Sequence, residues 1–225
     1  MGSVSHFLEV NSFQKLIDTP FSGKVNAMGW RRELRGDFEE IVQKINQTDN
    51  ITVVSADELG SLSLSPEGKM AREIILKDLQ LLTDYGADPV LNLISHYEED
   101  DFFFPTDVYS WHVDRSPIAT DTFLCTYFGD SSEIVSNENT IQKILIPEIR
   151  NQLERLYEGP EEGFNDFLAE NFFDLHYEPT PGVRPFQLGI GHLCRLATDN
   201  PESPVLPCVH RAPRELAGPR LLLIC

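Results

Sequence analysis

Residues 109–117 read Tyr-Ser-Trp-His-Val-Asp-Arg-Ser-Pro. His112 and Asp114 are separated by one residue, and along an extended strand residues i and i+2 project to the same face. A neutral imidazole and a carboxylate on one face each offer a lone pair, which makes them a candidate pair for a divalent metal. Two protein ligands leave most of the coordination sphere open, so this chemistry needs a third nearby. Five further histidines are available: His6, His96, His176, His192 and His210. In a chain with six histidines, an H-x-D by itself is a weak signal. The competing reading is an ordinary strand end, with Asp114 capping the turn Arg115-Ser116-Pro117.

The pattern of the chain says which elements would carry these residues. Residues 24–30 and 51–56 read as strands, the second rich in β-branched side chains. Residues 37–45 place Phe38, Ile41, Val42 and Ile45 on one helical face. Ser65-Pro66-Glu67 is a helix start, and Gly86 is the matching stop. From about residue 91 short strand candidates dominate: 90–98, 108–114, 122–129, 184–198, 204–213 and 219–225. Residues 98–105 join a charge run to an aromatic cluster and read as a loop. Between the strands, 147–159 and 161–178 have helical periodicity. These patterns predict a mainly β fold with helical cover (α+β), a sandwich or barrel. A single domain over 1–225 is expected, with 1–90 as cover, 91–225 as the β core, and a helical insertion at about 139–180.

Composition narrows the partners. The net charge is −18, from 18 basic and 36 acidic residues. Such a field repels phosphate backbones and anionic membrane surfaces, so direct nucleic-acid binding is not expected. No apolar run is long enough to span a bilayer, so no membrane insertion is expected. The first residues lack a basic region followed by an apolar core, and position 6 is His where a myristoylation signal needs Ser or Thr. Cys125, Cys194, Cys208 and Cys225 form no C-x-x-C pair. They read as reduced thiols of a cytoplasmic protein. The sequons at Asn46 and Asn50 are then idle.

His210 stands in Pro207-Cys208-Val209-His210-Arg211-Ala212-Pro213, and Arg220 follows ten residues later at the head of a last apolar stretch. Together with His112 and Asp114, this layout resembles the Fe(II)/2-oxoglutarate-dependent dioxygenase superfamily. The superfamily pattern is H-x-D/E, a distal His, and an Arg or Lys about ten residues beyond. The resemblance covers the chain from about residue 91 onward. It implies a double-stranded β-helix, a cupin-like jelly roll, with His112, Asp114 and His210 as metal ligands. It implies Fe(II) as the metal and 2-oxoglutarate as cosubstrate, which O2 decarboxylates oxidatively to succinate and CO2 while a substrate is hydroxylated or demethylated with the second oxygen atom. Arg220 would pair with the far carboxylate of 2-oxoglutarate as a fork. Arg195, Arg211 and Arg214 are its rivals for that role. Tyr127 would hydrogen-bond the 2-oxo acid, or it is a core tyrosine. Cys208 shares a face with His210 and is read as a small buried thiol.

Stretches such as Val25–Leu34, Trp111–Pro117 and Val209–Pro213 also resemble a family of uncharacterised bacterial proteins, which brings no activity with it. Two other functions stay open at this level. One is a cupin-like metal-binding protein that does not use 2-oxoglutarate. The other is a non-catalytic β-barrel module whose acidic surface recruits a basic partner. The substrate, small molecule or protein, is not legible.

Overall fold

The computed structural model describes residues 5–216 and 218–225; residues 1–4, on which part of the myristoylation pattern falls, and Ala217 lie outside them. The strands in chain order are β1 Phe7–Val10, β2 Ala27–Trp30, β3 Ile51–Val54, β4 Val90–Ile94, β5 Asp121–Phe128 and β6 Glu133–Val135. They continue with β7 Thr140–Gln142, β8 Tyr177–Pro179, β9 Phe186–Gln187, β10 Leu193–Ala197, β11 Val209–Arg211 and β12 Arg220–Ile224. The helices are α1 Phe13–Asp18, α2 Phe38–Lys44, α3 Ala56–Ser61, α4 Pro66–Tyr85, α5 Pro147–Leu156 and α6 Phe164–Glu170. None is long and apolar enough to cross a membrane.

Seven strands form one sheet in the order β1-β2-β10-β5-β12-β4-β3, antiparallel throughout except for β1 against β2. A three-stranded sheet, β11-β6-β9, faces it, and β7 pairs with β8. The architecture is therefore mixed α/β, where a mainly β one is expected from the sequence. No closed barrel is formed among the described residues. The difference comes from the helical face, which is a full layer and not a thin cover.

Side-chain alternation divides the large sheet cleanly. Phe123, Cys125 and Tyr127 of β5 and Leu221 and Leu223 of β12 pack with Ile41, Ala71, Ile75 and Leu82 of α2 and α4. Their neighbours Leu124, Leu222, Cys194 and Leu196 pack instead with Ile134 and Cys208 from the small-sheet side. Each buried leucine or isoleucine contributes about 1.5–3 kcal/mol, so the two faces fix the register of β5 and β12. A one-residue slip would exchange them.

Helix α4 starts and stops as its residues dictate. Ser65 Oγ accepts the Gly68 N–H at 3.1 Å, Pro66 takes the first helical position, and Gly86 closes the helix at φ +101°. The segment 161–178 is less helical than its periodicity predicts. Phe172 adopts φ +59°, which ends α6 at Glu170. α5 and α6 lie between the paired strands β7 and β8, and Leu153, Phe164 and Leu168 pack there on Phe104 and Ile144. The aromatic run 102–104 is thus the seat of these helices, just upstream of His112.

Candidate metal centre

The stretch around His112 is extended but is not a regular strand. A turn at Asp107–Ser110, closed by the Ser110 N–H on the Asp107 carbonyl at 3.1 Å, replaces its first half. His112 then exchanges two backbone hydrogen bonds with His210, each 2.9 Å. In an antiparallel ladder this is a hydrogen-bonded pair, whose side chains project to the same face. On the other side, Val113 N–H donates to Leu175 O at 3.0 Å and Tyr177 N–H to Trp111 O at 2.8 Å. His112 is therefore clamped between β11 and residues 175–177. Trp111 and Val113 pack outward with Val135, Leu175 and Val209. That leaves His112 and Asp114 on the inner face, as the i, i+2 rule requires.

His112, Asp114 and His210 each place one ligand atom within 4.8 Å of the others. The two imidazole rings are 4.4 Å apart, and His210 Nε2 lies 3.6 Å from Asp114 Oδ2. His112 Nδ1 sits 2.7 Å from the Ser110 carbonyl and His210 Nδ1 3.1 Å from the Cys208 carbonyl. A carbonyl only accepts, so both Nδ1 atoms carry the proton and both Nε2 atoms keep a lone pair. A backbone carbonyl that fixes the tautomer is the usual support of a metal-binding histidine. Thr122 donates its hydroxyl to Asp114 Oδ2 at 2.5 Å, steadying the carboxylate. The Asp114 side chain is 37% exposed, so this edge of the site opens to solvent.

Electrostatics favour the ligating forms. Burial, helped by His210 alongside, pushes His112 down to about 3, which keeps it neutral. Burial works against ionised Asp114, but His210, the Thr122 hydroxyl and His112 outweigh it and hold the carboxyl below its usual range. Metal ligands must be deprotonated, and these two are, far below neutral pH. Two tautomer-fixed imidazoles and one carboxylate, open on one side, could hold a divalent metal ion.

Arg220 is 1% exposed on the same inner face of the large sheet. Its Nη2 donates to Thr126 Oγ1 at 3.0 Å and Ser132 Oγ at 2.6 Å, while Nε is buried with no partner. No carboxylate pairs with it among the described residues. Burial lowers its pKa, against the pull of Tyr97, Glu215 and Asp130. The rival arginines are all neutralised. Arg195 pairs with Asp121 at 2.6 Å, Arg211 with Glu133 at 2.7 Å, and Arg214 with Glu99 at 2.5 Å. A Cβ at Gly129 would come within 3.0 Å of Arg220 Cα, so only glycine lets the end of β5 close on this arginine.

Tyr127 is a correction. It stands on the helix-facing side of β5, stacks on Phe38 at 5.6 Å, and donates its hydroxyl to Asp78 at 2.7 Å. Asp78 in turn pairs with Arg32. Tyr127 thus belongs to a buried polar network that ties α4 to the sheet, and it does not reach the triad. Thr122 and Thr126, even-numbered on β5, are the residues that do face inward; the alternation within Thr122–Phe128 would have separated them from Tyr127. Ser132 had no sequence signal. Asp114 does not cap the turn after it, because its carboxylate turns to Thr122 and Ser116 Oγ accepts from Ile118 N–H instead.

His176 also lacked a signal. Its ring lies 6.3 Å from that of His112, with Nδ1 3.1 Å from Ser110 Oγ. Burial, with Lys143 nearby, lowers it to about 4. His192 is held on the Leu188 carbonyl at 2.9 Å and takes no part in the triad. Burial first, then the Asp114 charge, push the Cys208 thiol well up, so it stays protonated beside the triad. Comparison with family models, with curated proteins and with solved structures returned no match for this chain.

Proposed function

We propose that this chain is a non-haem Fe(II)/2-oxoglutarate-dependent oxygenase of hydroxylase or demethylase type, built on a double-stranded β-helix. The observation that carries the reading is a metal-ready His-Asp-His triad on the same inner face as a buried arginine that has no carboxylate partner. A lone buried guanidinium is costly unless an anion completes it. Thr122, which touches Asp114, and Thr126, which touches Arg220, stand four residues apart on one face of β5. That is about 13 Å along the strand, a gap that an arginine side chain and a five-carbon diacid fill together.

Strand pairing supports the fold reading. Take eight segments in chain order: β4, the His112 segment, β5, β6, β9, β10, β11 and β12. The first pairs with the eighth, the second with the seventh, the third with the sixth and the fourth with the fifth. This is one long hairpin. The eighth also pairs with the third and the seventh with the fourth, which are the contacts made when such a hairpin is wound into a coil.

In this reading His112, Asp114 and His210 hold the metal through Nε2, a carboxylate oxygen and Nε2. Arg220 clamps the far carboxylate of the 2-oxo acid, and Thr126 and Ser132 hold the guanidinium in place for it. Bound Fe(II) and 2-oxoglutarate supply the oxygen activation that a protein lacks on its own. The substrate, small molecule or protein, enters past the solvent-facing edge of Asp114. The charge of −18 argues against a nucleic acid in that role.

The test is anaerobic addition of Fe(II) and then 2-oxoglutarate to metal-free protein. The wild type develops the visible charge-transfer band of the chelate. His210→Ala abolishes it, and Arg220→Ala raises the 2-oxoglutarate needed by about 100-fold. Metal uptake without a band would refute the 2-oxoglutarate chemistry, and no metal uptake would refute the centre.

A further inference from the structure

Glu215, in the connection from β11 to β12, stands five residues before Arg220, the first residue of β12. Each buries a polar atom with no partner: Oε1 of Glu215 and Nε of Arg220. The two atoms are complementary in charge and in hydrogen bonding, yet no ion pair joins the residues. Glu215 is anchored by its other oxygen. Oε2 accepts the Tyr109 hydroxyl at 2.7 Å, and the Tyr109 oxygen accepts the Tyr97 N–H at 2.8 Å. The two tyrosine rings pack edge to face at 5.7 Å. Glu215 lies close enough to the guanidinium for its charge to raise the arginine's pKa. The carboxylate is therefore anchored in the neighbourhood of the arginine without pairing with it.

We infer that Glu215 is a specificity-determining residue for the anion that Arg220 admits. Its carboxylate is tied through the Tyr109 hydroxyl to the backbone of Tyr97, three residues beyond the Ile94 that pairs with Arg220, and from there its charge opposes a second carboxylate that a ligand brings to the guanidinium. The inference rests on the proposed reading of Arg220 as the anchor of a 2-oxo acid. Two like charges a few ångströms apart in a partly desolvated site repel strongly. Glu215 thus weakens binding of a dicarboxylate such as 2-oxoglutarate, and it leaves a 2-oxo acid without the distal carboxylate unaffected. The wild type then discriminates less between the two than Arg220 alone dictates. Tyr109 is the positioning residue that keeps Glu215 in place.

The experiment titrates the anaerobic Fe(II) protein with 2-oxoglutarate and with 2-oxobutanoate, reading the chelate band, in wild type, Glu215→Gln and Glu215→Ala. Glu215→Gln keeps an acceptor for Tyr109 and removes the charge. Glu215→Ala covers the case in which the amide fails to pack. The expected result is tightening on the order of 10-fold or more for 2-oxoglutarate in both variants, with 2-oxobutanoate changed less than about 2-fold. Unchanged 2-oxoglutarate binding, or equal tightening of both acids, overturns the role of Glu215 and leaves the proposed function standing. A wild type that takes up Fe(II) but gives no band with either acid overturns both.

Discussion

Replacing Arg220 with methionine should make the protein more stable and the site useless. The guanidinium is 1% exposed, its side-chain hydrogen bonds go to two neutral hydroxyls, and no carboxylate forms an ion pair with it among the described residues. Hydrogen bonds to a charged group contribute about 1.5–3 kcal/mol each. Burying the ion costs several kcal/mol, and well-packed apolar replacements of buried charges are often stabilising by about 1–4 kcal/mol. The orphaned Nε adds to the cost side. Arg220→Met should therefore gain about 1–2 kcal/mol, and a domain of this size moves in Tm by about 2–4 °C per kcal/mol. Ligand linkage supplies the other half of the assay. At 100-fold excess over Kd, 2-oxoglutarate with Fe(II) should stabilise the wild type by about 2.7 kcal/mol, and should do nothing measurable for Arg220→Met. Urea unfolding of the metal-free proteins and thermal melts with and without ligand read both effects. A variant that loses more than about 3 kcal/mol while keeping the ligand shift would refute this account, because Arg220 would then be a structural residue.

Three other outcomes are expected. Thr122→Val removes the hydroxyl that steadies Asp114, and should weaken Fe(II) or Co(II) binding by about 10- to 100-fold; unchanged affinity in a Co(II) visible titration would count against the Thr122 contact. His112 and His176 fold with pKa values lowered from 6.5 to about 3 and about 4. The unfolded chain therefore takes up protons first, and stability present above pH 6.5 is lost as pH falls toward 4. The His176 share is at most about 3 kcal/mol, so His176→Asn should flatten the loss between pH 7.5 and pH 5 in urea unfolding, and an unaltered slope would exclude it. Phe172→Gly relieves the φ of +59° on a side chain that is 58% exposed. It should raise the urea midpoint by the equivalent of about 0.5–1 kcal/mol, and a lower midpoint would show that the exposed ring packs on something in solution.

Much of this arrangement was legible residue by residue. Ser65, Pro66 and Gly86 set the ends of α4 because capping and backbone permissiveness are local effects. His112 and Asp114 share a face because strand periodicity is local too. The limit of such reasoning shows at 161–178. There the apolar period continues through Phe172, but one left-handed residue ends the helix. It shows again at 108–114, where the side chain of Asp107 accepts the N–H groups of Tyr109 and Ser110 and turns a predicted strand into a turn and a bridge.

The sequence by itself determined that His112 and Asp114 could meet a metal on one face, from donor chemistry and from period-two alternation, which need no knowledge of distant contacts; His210 and Arg220 were singled out by the resemblance to the dioxygenase superfamily. Only the tertiary structure decided that His112 pairs across the ladder with His210, ninety-eight residues away, because that pairing is a choice of partner strand. It also decided that Tyr127 faces the helices and Thr126 the site, since the buried helix layer sets which face of β5 points inward. And it left Arg220, alone of the four candidate arginines, without a carboxylate partner among the described residues, a distinction set by where Asp121, Glu133 and Glu99 come to lie in space.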